Sequence, residues 1–181
     1  MPRLGADPPF KPRERALDAR HSAWCKAWHA RQGGSTVRAV RVHNPAQVAA
    51  ALAAAAAGTA VVLVSAPGAA LALGAPWFVA MVAQGAAAVP GVAHRAVLDC
   101  GAAPGLALAA LRLGLRWLVL APGVAARPQV AAVAALCGAT LLDAPPPALE
   151  MAGLRLDTPG GRIRLAQWLR NTPSDTREGK G

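Results

Sequence analysis

Three short stretches carry residue types that can do chemistry. Asp99-Cys100-Gly101 sets a carboxylate and a thiol side by side at the end of the run His94-Arg95-Ala96-Val97-Leu98. A carboxylate in such a place can hold or move a proton, and a cysteine thiolate is a competent zinc ligand. Ser65-Ala66-Pro67-Gly68 follows another apolar run, and backbone amides in a turn of this kind can cradle a phosphate. Arg41, just before Asn44, supplies a cation to the same region and makes the best argument for an anion site there. Plainer roles compete with each of these. Asp99 can accept hydrogen bonds from amides at the next helix start, Cys100 can be a small buried residue, and Pro67-Gly68 can be a plain turn. No His lies near Cys100 in sequence, and His43 is the one that could approach from a neighbouring strand end.

The elements that must position these residues follow a strand–helix rhythm. Residues 36–43 alternate small or apolar with basic side chains, as a strand near an edge does. Asn44-Pro45 supplies an N-cap and a proline at the first helical position, so a helix is expected over 46–57, closed at Gly58. The β-branched run 59–64 predicts a strand buried on both faces, with a loop at 65–68 and a longer helix within 75–88. The pattern then repeats: a strand at 94–99, a helix over 104–113 stopped by Gly114, and a strand at 117–120. After the Ala121-Pro122-Gly123 loop come a helix over 128–136, ended by Gly138, and a short strand at 139–142 before Pro145-Pro146-Pro147. Five such repeats predict a parallel α/β sheet with right-handed crossovers, either a half TIM barrel or a flavodoxin-like open sheet. In both, function belongs at the carboxyl ends of the strands.

Composition narrows the function classes. The chain has 181 residues, 54% hydrophobic and 15% charged, enough for a core and too little charge for a disordered chain. Three irregularly spaced cysteines exclude a disulfide scaffold or a cysteine-rich zinc module. The net charge of +10 lies at the ends. Residues 1–41 hold nine Lys/Arg against three Asp/Glu, residues 42–150 four against three, and residues 151–181 six against three. The chain therefore reads as a basic N-terminal extension (1–35), a nearly neutral α/β domain (36–150) and a basic C-terminal tail (151–181) with one amphipathic stretch at 163–169. No RNA-recognition, helix-turn-helix or zinc-finger pattern accompanies the charge, so nucleic acid is not an expected partner. Trp24 and Trp28, four apart beside Cys25 and His29, suit docking of the extension better than stacking on a base. No apolar run of signal-peptide length occurs in the first thirty residues. The charge-free stretch 60–82 is broken at Ser65–Gly68 and Gly74-Ala75-Pro76, so no membrane span is expected.

The order of these signals resembles the amino-terminal half of the class II, zinc-dependent fructose-bisphosphate and tagatose-bisphosphate aldolases. Val40 to Gln47, with Asn44 before the first helix, is similar to the family's first strand and Asn-rich turn. VVLVSAPGAALALG, from Val61 to Gly74, resembles its second strand and Ser-x-Gly-Ala loop, and Val97-Leu98-Asp99-Cys100-Gly101 its Leu-Asp-His-Gly signature. Ala109 to Leu115 looks like the Ala/Leu-rich run that ends in Gly-Phe. The resemblance covers about residues 40–143 and implies a half-barrel fold with Asp99 as catalytic acid/base. Cys100 falls where the family's zinc-binding His stands, Asp143 is one position from an expected metal-binding Glu, Ala121 replaces an Asp, and Arg41 replaces a phosphate-contacting Asn. No His follows His94. A catalytic zinc needs three protein ligands, so no cofactor is expected. The expectation is a non-catalytic, cytoplasmic, aldolase-related half-barrel. It would bind a partner or a small phosphorylated ligand through Arg41, Asn44, Ser65, Gly68 and Gly101. A half-barrel leaves sheet edges uncovered, so a homodimer, or tails folded over the opening, is expected. The alternative is a small aldolase-type lyase whose metal site is completed across a dimer.

Overall fold

A computed structural model of the chain describes residues 38–55 and 60–170. The strands are β1 (Ala39–Arg41), β2 (Val61–Val64), β3 (His94–Asp99), β4 (Trp117–Val119), β5 (Thr140–Leu142) and β6 (Ala148–Glu150). The helices are α1 (Pro45–Ala53), α2 (Ala69–Ala72), α3 (Ala75–Ala87), α4 (Pro104–Arg112), α5 (Arg127–Leu136) and α6 (Pro159–Arg170). All five strand pairings are parallel, in the order β5-β4-β3-β2-β1-β6. The fold is an α/β open sheet with helical crossovers, half TIM-barrel-like. The flavodoxin-like alternative, which places β1 between β2 and β3, is not the order found.

Side-chain period sorts the strand residues cleanly. Val40, Val42, Val61, Leu63, Leu98, Cys100, Leu118, Leu120 and Met151 share one core cluster with residues of all six helices, Phe78 and Leu165 among them. The alternate residues Ala39, Val62, Val64, Val97, Trp117, Val119 and Leu142 are buried too, on the opposite face and outside that cluster. Two buried faces explain why β2 reads as an unbroken Val/Leu run.

Chain reach decides the shape of the sheet. β5 and β6 are its two edges, yet only residues 143–147 join them. In a flat sheet five inter-strand gaps put the edges about 24 Å apart. The six steps from Leu142 to Ala148 reach at most about 20–22 Å when fully extended. Twist alone leaves the lateral distance unchanged, so the sheet must curl enough to bring its edges within about 22 Å.

Several boundaries differ from the sequence expectation, for physical reasons. Pro145-Pro146-Pro147 does not end the sheet but leads into β6, because proline is tolerated where an edge strand begins. Met151, Leu165 and Leu169 are core residues, so the domain runs past residue 150 to Arg170. Trp168 fastens α6 by donating its indole N–H to Ala39 O at 2.9 Å, with the Arg38 guanidinium 4.7 Å from the ring centroid. α1 starts as expected, with Asn44 Oδ1 accepting from Gln47 N at 2.9 Å, but is capped at Ala54. Gly58, the Trp24/Trp28 segment and the extreme C-terminus lie outside the described residues. No described helix is long and apolar enough to cross a membrane, and the apolar stretch 60–82 is divided among β2, α2 and α3.

Candidate functional site

Parallel strands bring every strand-to-helix loop to one end of the sheet, and the polar residues gather there in three groups. The first lies at β2 and β3. Where the β2 backbone turns away, Ser65 Oγ stands in for the next ladder carbonyl: it accepts from Asp99 N at 2.9 Å and donates to Ala66 O at 3.0 Å. Asp99 is buried on the face opposite the helices, and its Oδ1 accepts from Gly101 N at 2.8 Å. Gly68 and Gly101 both take left-handed backbone (φ 62° and 54°), which side chains disfavour. A Cβ on Gly101 would stand 3.9 Å from the Gly68 Cα, so these two loops meet backbone to backbone.

The second group spans β1 and β6, whose ladder sets Arg41 opposite Glu150. Arg41 Nη1 lies 3.5 Å from Glu150 Oε2, and His43 Nε2 donates to Glu150 Oε1 at 2.5 Å. Ala152 N donates to the same Oε1 at 2.9 Å. Burial pushes the Glu150 carboxyl up, but the Ala152 amide, His43 and Arg41 outweigh it and hold it below its usual range. Gln47 braces the pair. Its Oε1 accepts from His43 N at 2.7 Å, and its amide donates to Met151 O at 3.0 Å, tying α1 to the end of β6. The Arg41 side chain is only 22% exposed, and its Nε is buried without a hydrogen-bond partner.

The third group closes β4 and β5, where Arg127 at the head of α5 donates to Leu120 O and to Asp143 Oδ1.

No family model, curated protein or solved structure matches this chain. The geometry of its own residues therefore carries the functional argument.

Of the residues singled out from the sequence, Asp99, Ser65, Gly68 and Gly101 come together at the β2/β3 loops. Arg41 lies toward β6, and the Asn44 side chain serves the first turn of α1. Cys100 parts from them. It points into the helix-side core, 1% exposed, where burial first and the Asp99 charge second push its thiol up to about 12. His43 turns to Glu150 on β6. A zinc at the family's position does not fit these residues. The thiol is held protonated and faces away from the strand-end loops, while Asp143 is paired with Arg127. Among the described residues no group of three or more His, Cys, Asp or Glu stands close enough to hold a metal. The sequence reading missed Glu150, Gln47 and Arg127. Only Gln47 had a local signal, the Asn-x-x-Gln spacing of a capping box at Asn44.

Proposed function

We propose that this chain is a non-catalytic, aldolase-related half-barrel that binds a small phosphorylated ligand at the carboxyl ends of its strands, with Arg41 as the charge anchor. One observation carries the reading: a largely buried guanidinium whose single partner among the described residues is a contact at 3.5 Å, with a buried Nε left over. An arginine presents a planar fork that pairs with two oxygens of one anion at 2.7–2.9 Å, and this one is far from using it. The neighbouring Ser65–Gly68 and Asp99–Gly101 loops add backbone polarity on the same rim. The protonated, inward Cys100 speaks against the metal-dependent lyase. A homodimer in the cytoplasm belongs to the same proposal. The two open sheet edges and the exposed Leu113, Val133 and Leu136 support the dimer, and the free Cys100 and Cys137 suit a reducing compartment.

The test is thermal unfolding of the full chain with inorganic phosphate or fructose 1,6-bisphosphate. A ligand that binds only the folded state raises the midpoint, and the rise grows with the logarithm of its concentration above Kd. The wild type is expected to shift and Arg41→Gln is not. No shift in the wild type, or an equal shift in the variant, overturns the proposal. Light scattering on the same sample reads the dimer, and a clean monomer removes that part.

A further inference from the structure

Arg41 is not merely under-used; the residue beside it is placed to keep it so. We infer that Glu150 is a built-in competitor for the anion site, occupying Arg41 in the unliganded protein and released to His43 when an anion binds. This rests on the reading of Arg41 as an anion anchor and adds how the site is controlled and what shape of anion it takes.

The two oxygens of Glu150 are unequally employed. Oε1 receives the His43 ring N–H and the Ala152 amide, at 2.5 and 2.9 Å. Oε2 has Arg41 alone, at 3.5 Å. Letting go of Arg41 therefore costs the carboxylate one long contact and leaves its two short ones in place. Arg41 has the opposite imbalance. Its link to Glu150 is its whole use among the described residues, and its Nε is buried without a partner. An incoming oxyanion that offered two oxygens to the terminal nitrogens of the fork would replace one poor contact by two good ones.

Topology keeps the competitor at hand. Parallel pairing of β6 with β1 puts Arg41 and Glu150 in direct register, and Gln47 pins both strand ends, through His43 N and Met151 O. The carboxylate can let go of Arg41 while keeping His43 and the Ala152 amide, without moving a strand. The ligand class follows from the fork. A phosphate or carboxylate, with two oxygens on one centre, gains from it, whereas chloride offers a single contact.

The experiment is calorimetric titration of the full chain with inorganic phosphate, with sodium chloride at matched ionic strength as control. Glu150→Gln removes the competing charge and is expected to bind phosphate about three- to fivefold tighter than wild type, the strength of a partly exposed ion pair. Chloride should show no gain. Glu150→Asp keeps the charge but shortens the reach, and serves if the Gln variant unfolds by circular dichroism; the same direction is expected. If Arg41→Gln abolishes phosphate binding while both Glu150 variants bind no tighter than wild type, the competitor is refuted and the anion anchor stands. If Arg41→Gln binds phosphate as well as wild type, the anchor itself fails and the competitor with it.

Discussion

Alkylation of Cys100 offers a sharp check on how the β3 loop is built. With its thiol pushed from 9.0 to about 12 by burial and by the neighbouring Asp99 charge, Cys100 is almost wholly protonated at neutral pH. At pH 8 the thiolate fraction is about one in ten thousand, against about one in ten for an unperturbed thiol. The thiolate is the nucleophile, so ionisation alone slows iodoacetamide by about a thousandfold, before any steric barrier. The native full-length protein should be treated at pH 8 and the modified peptides followed by mass spectrometry. Cys137, half-buried at the carboxyl cap of α5, serves as the internal reference. Cys100 should remain unmodified long after Cys137 has reacted, and both should react in denaturant. Comparable rates in the folded protein would refute the placement of this thiol in the helix-side core. The same shift has an alkaline consequence. Between about pH 9 and 12 the folded state holds a proton that the unfolded state has lost. Its contribution is therefore intact below pH 9 and falls as pH rises, by up to about tenfold in the folding constant per pH unit.

Two further substitutions test the supports of the site. Gly85→Ala introduces a methyl group where α3 meets α1, its Cβ only 2.6 Å from Pro45 O and closer still to Val48. Contacts this short put the overpacking cost at the upper end of about 1–3 kcal/mol, against a gain of about 1 kcal/mol in helix propensity, a net loss of about 1–2 kcal/mol readable in urea unfolding. A variant as stable as wild type would show that the two helices can part freely. Ser65→Ala leaves the buried Asp99 amide without its acceptor and should cost about 1–3 kcal/mol. A loss well under 0.5 kcal/mol would mean that the hydroxyl does not carry the ladder past the end of β2.

Local pattern revealed much of this molecule and missed what depends on distance along the chain. β2 declared itself through four consecutive Val/Leu residues, and β3 through the run that stops at Asp99. α1 was legible from Asn44-Pro45, a cap that satisfies an orphan amide and a ring that needs no donor. α2 escaped notice because four residues make barely one turn. β6 hid behind three prolines, since Ala148-Leu149-Glu150 is too short to show an alternation. That omission left the sixth strand out of the sheet, whereas the choice between a half-barrel and a flavodoxin-like sheet turns on β2 pairing with both β1 and β3. The site divides in the same way. The Ser65, Gly68, Asp99 and Gly101 grouping follows from consecutive loops at one sheet end. The partner of Arg41 lies 109 residues away and becomes a neighbour only through the β1/β6 ladder. Cys100 takes the plainer of its two readings, a small buried residue, because successive residues of a strand point to opposite faces and it turns away from Asp99.

The strand order also dictates where this architecture has room to grow. Read as a circle, β6-β1-β2-β3-β4-β5 is already consecutive numbering with a single interruption, the proline link at 143–147. Both flanks of β1 are taken, by β2 and β6, so a unit appended after Arg170 has no berth beside the first strand. A further strand from such a unit finds free partners only at β5 and β6, the two edges, and can join there while leaving the Arg41–Glu150 juncture intact.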